Sequence, residues 1–284
     1  MVHPSPKTER VVTAPRDRRD ALVEVILGAR RRLSLSLFRC NDDVIFEALR
    51  QAVRRGVVVD VLMTGRAKGG RKRLDTLRDA LIRTGANVHE YGDPVVKYHA
   101  KYLVADDGPA VVASLNCTRK CFNKTSDCLV VTYDPDVVSG LQRLIAADRD
   151  GRPLPSGLSP RLIIGPELAR RQLTTLVMQA RESIQVIDAK LSDPDLVALL
   201  GTRKAEGLAV DRIDTKKVGG LKSHGKFMMI DNRTAVVGGL ALTALSLEFR
   251  REVALVVESP AAVAQIARVF EQALAVGGSA PGRG

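Results

Sequence analysis

The sequence predicts an α/β fold of two tandem repeats, each a mixed, partly parallel β-sheet flanked by helices, packed with pseudo-twofold symmetry. Three observations predict it. First, "HAKYLVAD" at 99–106 and "HGKFMMID" at 224–231 share the spacing H-x-K-x-x-x-x-D, and the register holds without a gap from there to Pro135 and Pro260. Second, short β-rich runs alternate with segments of helical periodicity, the pattern of a central sheet covered by helices. Third, the Gly-, Pro- and Ser-rich stretch "DRDGRPLPSGLSPR" at 148–161 divides the chain into nearly equal parts.

At an offset of 125 residues, Lys101 falls on Lys226, Asp106 on Asp231, Leu115 on Leu240, Thr118 on Thr243 and acidic Asp127 on acidic Glu252. Taken in order, residues 1–17 read as a disordered basic arm and 18–150 as the first repeat. Residues 151–161 read as a linker, 162–275 as the second repeat and 276–284 as a flexible tail. Within the repeats, "LSLSLF" and "SIQVIDA" are apolar or alternating strands. "DVIFEALRQAVRRG" has apolar residues at helical spacing and a Gly stop, and "VVVDVLM" follows as a buried strand. The segments after Pro135 and Pro260 are closing helices, proline being a common first-turn residue. The first repeat is longer before its histidine: it carries the basic "TGRAKGGRKRL" and a further helix, "LDTLRDALIRTG".

The 284 residues are 45% hydrophobic, enough for a sizeable core, and carry a net charge of +12, which favours anionic partners. The four cysteines, Cys40, Cys117, Cys121 and Cys128, match no zinc spacing and are too few for a disulfide scaffold. They read as reduced thiols of a cytoplasmic protein. The polar start "MVHPSPKTERVVTAPRDRRD" lacks the apolar core of a signal peptide. "AVVGGLALTALSL" at 235–247 is too short to span a bilayer. A cytoplasmic protein, at most peripheral at the membrane, is expected.

On a strand, His and Lys two residues apart share a face. The motif thus presents an imidazole beside an ammonium. Imidazole serves as nucleophile, base or acid near neutral pH. Lysine supplies fixed charge for the oxygens of a phosphoryl group. The Asp lies an odd number of steps from Lys near the strand end, where it serves a structural contact or a turn. Two half-sites facing each other place a histidine on either side of one phosphorus. One attacks while the other protonates the leaving oxygen. No carboxylate cluster for a metal is evident, and no cofactor is expected.

With its duplicated H-x-K-x4-D motif, the sequence resembles the phospholipase D superfamily over residues 20 to 275. "ASLNCT" resembles the family's Gly-Ser-x-Asn-x-Thr stretch through Ser114, Asn116 and Thr118, and "GGLALTALSLEFRRE" resembles the stretch ending in Ser-Leu-x-x-x-Arg-Glu. The resemblance implies a catalytic set of His99, Lys101, Asp106, His224, Lys226 and Asp231. It implies substrate contacts from Ser114, Asn116, Thr118 and Thr243. It also implies histidine-orienting acids at Asp127 and Glu252. The second half departs from the pattern: Gly239 stands at the Ser position and Ala241 at the Asn position. The better-equipped half is therefore assigned the covalent step, with His99 as nucleophile and His224 as general acid, then base.

The implied activity is a metal-independent phosphodiesterase or phosphatidyltransferase of phospholipase D type, acting on phospholipids through a phosphohistidine with peripheral membrane contact. A nuclease of the same superfamily is the alternative, since the positive charge suits a phosphate backbone. An inactive phosphate-binding scaffold is the third reading. Both half-sites lie in one chain, so a monomer suffices.

Overall fold

The computed structural model describes residues 9–66 and 70–277, with side chains to residue 275. Residues 1–8 of the expected arm, 67–69 of the basic insert, and 278–284 of the expected tail lie outside the described residues. The first unit opens with β1 (Glu9–Val12), α1 (Pro15–Gly28), β2 (Arg32–Leu37), α2 (Asp43–Arg54), β3 (Val58–Thr64), α3 (Arg71–Ile82) and β4 (Asn87–Tyr91). It continues through β5 (Lys97–Tyr98), β6 (Tyr102–Ala105), β7 (Ala110–Ala113), α4 (Arg119–Asn123), β8 (Thr125–Ser126), β9 (Leu129–Thr132) and α5 (Pro135–Arg149). The second unit opens with β10 (Leu162–Gly165), α6 (Ala169–Gln179), β11 (Ser183–Ile187), α7 (Pro194–Ala205), β12 (Ala209–Ile213), β13 (Lys217–Val218) and β14 (Leu221–Ser223). It closes with β15 (Lys226–Ile230), β16 (Thr234–Gly238), α8 (Ala244–Phe249), β17 (Arg250–Val257) and α9 (Pro260–Gly277).

The first sheet has the order β1-β9-β7-β6-β2-β3-β4, and the second β10-β17-β16-β15-β11-β12. Both are mixed. β2, β3 and β4 run parallel, as do β11 and β12, and the remaining neighbours are antiparallel. The parallel pairs need helical crossovers, and the sequence supplies them. In α2, Ile45, Ala48, Leu49 and Ala52 form one buried stripe. The helix stops at Gly56, whose φ of 86° is a conformation glycine adopts without strain. Helices α5 and α7 begin at prolines capped by Asp134 and Asp193, whose side chains accept from Asp136 N and Leu196 N.

The expectation of a disordered arm is corrected for residues 9–17. Glu9–Val12 pairs antiparallel with β9, from Glu9↔Thr132 to Val12↔Leu129, and buries Val11 and Val12. Arg161, the last linker residue before β10, ion-pairs with Glu9 and, at 2.7 Å, with Asp134. Pro15 then starts α1. Backbone pairing and two valines order this segment despite its charged flanks. The second unit does the same with β10 against β17. All four cysteines are free thiols, three of them buried.

The units share one interior. Its buried cluster joins Tyr98, Val104, Val137 and Leu141 of the first unit to Phe227, Met229, Val253 and Phe270 of the second. Arg251 on β17, 4% exposed, crosses this interior. It donates to Asp148 of α5 at 2.9 Å and to Glu167 at 2.8 Å. Removing one partner of such a pair strands the other charge. Arg251→Met is therefore expected to lower unfolding free energy by about 3–5 kcal/mol. Denaturant melts test this, and an unchanged midpoint would refute it.

Candidate active site

Each motif histidine sits between a short strand paired to the other unit and a core strand of its own sheet. β5 runs parallel to β17 of the second unit, with Lys97↔Arg250 and Tyr98↔Arg251. His99 N donates to Arg251 O at 2.9 Å. The chain then turns through the buried Ala100 and enters β6 of its own sheet at Tyr102. The second unit repeats the manoeuvre in matching register. β14 runs parallel to β8 through Lys222↔Thr125 and Ser223↔Ser126, and β15 starts at Lys226. Between them, Gly225 N donates to Ser126 O at 2.7 Å. A Cβ on Gly225 would stand 2.6 Å from the Phe227 ring and 2.8 Å from Ser126 O, so only glycine fits. The two histidines thus precede the core strands and do not lie within them, which corrects the expectation of one continuous strand. Each lysine still folds back beside its histidine. Lys101 Nζ donates to His99 O at 2.6 Å, and Lys226 Nζ to His224 O at 2.7 Å.

The carboxylates are exchanged between units. His99 Nδ1 shares a short hydrogen bond with Glu252 Oε1 of the second unit. His224 Nδ1 lies 2.9 and 3.0 Å from the two oxygens of Asp127 in the first. With Nδ1–H donated to a carboxylate, Nε2 is the unprotonated nitrogen of each ring, and that of His99 lies 3.3 Å from Lys101 Nζ. Gly239 of the second unit closes on Lys101, where an added Cβ would meet Nζ at 3.4 Å and His99 O at 3.6 Å. The serine expected at this position has no counterpart here, and the lysine occupies the room.

The half-sites differ electrostatically. Burial would raise the Asp127 pKa, but bonds from His224, Thr125 and Ser114 outweigh it and hold the carboxyl below its ordinary value. Burial raises the Glu252 carboxyl, and Lys101, Arg250 and Lys226 offset only part of that rise. His99 is pushed well below its ordinary value by burial and by the charges of Lys101, Arg250, Lys226 and Lys97. That shift favours the neutral imidazole. Lys101 is pushed down to about 7, by burial first and then by Lys226, with Glu252 pulling the other way.

That places a testable limb on the rate. A lysine that must be charged to hold an anion loses its proton as pH rises through about 7. We expect kcat/KM to fall above that pH, and Lys101→Arg to move the fall out of range, because a guanidinium stays charged. An alkaline limb identical in wild type and Lys101→Arg would assign it to another group.

The other expected site residues take varied places. Ser114 is buried and donates to Asp127 Oδ1 at 2.7 Å, so it holds the acid that holds His224. Thr125 does likewise from 2.5 Å. Thr118 and Thr243, expected to contact substrate, cap α4 and α8 by accepting from Cys121 N and Ser246 N. Asn116 alone of the four has an uncommitted side chain. Its Oδ1 is buried without a partner, and it lines a cleft with Phe38, Arg39 and Lys101. The motif aspartates, expected in the catalytic set, stand five residues beyond the lysines at the opposite strand ends. Asp106 accepts from Arg30, Arg31 and Arg32 N at 2.8, 2.8 and 2.9 Å. Asp231 accepts from Arg181, Glu182 and Ser183 N at 3.0, 2.8 and 2.8 Å. They pin the starts of β2 and β11.

Phe38, at the end of β2, was not singled out by the sequence. Its ring meets the His99 ring edge-on at 4.3 Å. Nothing in "LSLSLFRC" separates such a residue from a core phenylalanine. Among the described residues, one group has metal-ligating atoms within 4.8 Å of one another: Cys121, Asp127 and His224. An ion there would have to displace the Asp127–His224 hydrogen bond.

Two mixed sheets with a duplicated H-x-K-x4-D motif, each motif histidine following a short strand paired to the other unit, define the phospholipase D architecture. The chain belongs to the phospholipase D superfamily: the family model described as cardiolipin synthase, PLD-like domain, matches residues 22–149 and 212–274. Cardiolipin synthase A of Pseudomonas aeruginosa (strain LESB58) is 29% identical over 145 residues, 49% of this chain and 29% of that protein. Cardiolipin synthase A of Pseudomonas putida (strain W619) is 26% identical over 132 residues, 44% of this chain and 26% of that protein. These matches thus take in less than a third of either relative's length. In fold, the chain is similar to polyphosphate kinase from Porphyromonas gingivalis, with a TM-score of 0.76 at 18% identity over 94% of this chain and 50% of that one. It is also similar to phosphatidylserine synthase from Haemophilus influenzae, with a TM-score of 0.68 at 12% identity over 94% of this chain and 86% of that one. No helix among the described residues is long and apolar enough to cross a membrane.

Proposed function

We propose that the chain is a metal-independent phosphodiesterase or phosphatidyltransferase that acts on phospholipids through a phosphohistidine. The observation that carries this reading is the exchanged pairing, His99 with Glu252 and His224 with Asp127, which ties the two half-sites together and leaves each imidazole a lysine beside it.

His99, neutral and with its Nδ1 proton on Glu252, attacks phosphorus through Nε2. The P–N bond forms as the P–O bond to the leaving group breaks, and His224 gives the leaving oxygen its proton. His224 is then the base. It takes a proton from water or an alcohol, whose oxygen attacks phosphorus and breaks the P–N bond. Lys101 and Lys226 neutralise the non-bridging oxygens, the charge a metal would otherwise supply, and the Asn116 amide donates a hydrogen bond to them. Thr118, Thr243, Asp106 and Asp231 act on the scaffold.

The lipid reading draws on the family model and on the cardiolipin synthase relatives. The net charge of +12 suits peripheral contact with an anionic bilayer. It also suits the second reading, a nuclease. Turnover of phosphatidylcholine/phosphatidylglycerol vesicles and of labelled DNA, both in EDTA, separates them. Headgroup release that persists in EDTA and is lost in His99→Ala and His224→Ala is expected. DNA cleavage with that dependence would replace the lipid reading with the nuclease, and loss of turnover in EDTA would refute metal independence.

A further inference from the structure

Phe38 is the hub of a cluster whose Arg39 and Lys97 the reaction above does not use. Besides the His99 edge contact, its ring has Arg39 Cζ at 5.2 Å, Lys97 Nζ at 5.6 Å and Lys101 Nζ at 5.4 Å from its centre. Lys97 also pairs in register with Arg250, which lies 3.9 Å from Glu252. The charge at this end of the site does not balance. Lys101, Lys226, Arg250, Lys97 and Arg39 gather around two carboxylates, and both carboxylates are committed to histidines. Among the described residues, neither Arg39 nor Lys97 has a carboxylate within ion-pair distance. Holding like charges together is unfavourable, and burial together with Arg250, Arg39 and Arg66 presses Lys97 below its ordinary value. A single phosphodiester, with one negative charge, is met by Lys101 and Lys226. The surplus calls for another anion.

The cluster is also one-sided. Leu33 pairs with Ala105 as Ile184 pairs with Ile230, so Phe38 corresponds to Ala189 and Arg39 to Lys190. Lys97↔Arg250 corresponds to Lys222↔Thr125. The His224 half therefore lacks both the ring and the β-strand arginine.

We propose that Arg39 and Lys97, both over the Phe38 ring, with Arg250 on the strand paired to Lys97, form a second anion subsite on the His99 side, which takes a second phosphate group linked to the scissile phosphodiester. The proposal rests on the phosphodiester reading of the site and adds a substrate class: molecules with two phosphates near each other.

Calorimetric titration with inorganic pyrophosphate and with orthophosphate tests it, on the full chain at fixed ionic strength. Wild type is expected to bind pyrophosphate about tenfold more tightly than orthophosphate, as one or two added charge-assisted hydrogen bonds imply. Arg39→Gln with Lys97→Gln is expected to bring that preference to within about twofold. The double variant Lys190→Gln with Lys222→Gln removes equal charge from the counterpart positions and is expected to retain it. Equal affinities in wild type, or equal losses in the two double variants, would overturn the subsite, the latter by showing a general field. The arms also separate this idea from the lipid reading. A preference that behaves as expected without phospholipid turnover keeps the subsite and sinks the lipid reading. Turnover without the preference sinks the subsite alone.

Discussion

His99→Ala is expected to abolish the covalent adduct, and His224→Ala to keep it when the leaving group is good. The two rings look alike in sequence but not in surroundings. His99 is buried, neutral and pressed by four cations, the state a nitrogen nucleophile needs. His224 is more exposed, at 34% against 19%, and is held by a carboxylate that Ser114 and Thr125 keep ionised. Its Nδ1 is held on that carboxylate, so Nε2 is the nitrogen left to serve the leaving oxygen. With a labelled p-nitrophenyl phosphodiester, whose leaving group needs no proton, His224→Ala should accumulate label on the protein and stall there for want of a base. With an alkyl leaving group it should lose about 10²–10⁴ in rate, the usual worth of acid–base catalysis. His99→Ala should incorporate no label from either substrate. Label on His99→Ala but not on His224→Ala would reverse the roles.

The second large effect concerns the exchanged acids. Glu252→Gln should behave as a lesion of the first unit's histidine although it lies in the second unit. The carboxylate fixes the His99 tautomer and balances the charge that develops on the ring, and an amide can hold the wrong tautomer. In a related histidine–carboxylate arrangement such a change costs about 10⁴ in rate. Adduct formation from the p-nitrophenyl substrate should therefore collapse in Glu252→Gln. Asp127→Asn should spare it and slow the alkyl substrate. If Glu252→Gln slowed only the proton-dependent substrate, the histidine–acid pairing inferred for catalysis would be wrong.

The repeat was legible because identical spacing survives in one dimension. The matched register from His99 to Pro135 and from His224 to Pro260 became two mixed sheets and two closing helices. The exchange of acids was not legible. Asp127 follows His99 by the same interval as Glu252 follows His224, so pairing within a unit and pairing across units leave the same trace. The hydroxyls carry a structural commitment that the sequence does not display. Ser114, Thr118 and Thr243 stand in a phosphate-binding pattern, yet each spends its hydroxyl on the protein itself. β1 was hidden by its brevity: a four-residue edge strand cannot display a period, and its order comes from the backbone of β9.

The exchanged carboxylates also bear on how such a site acquires direction. A lone unit would need a second copy of itself to complete either histidine, and two identical copies would give both rings identical neighbours. Neither ring could then specialise. Joining the copies in one polypeptide frees each acid to vary separately, and here one is Asp127 with two hydroxyl props while the other is Glu252 with an arginine nearby. Fusion breaks the symmetry that shared construction would otherwise enforce, and an entrance and an exit for the reacting group become heritable properties of a single gene.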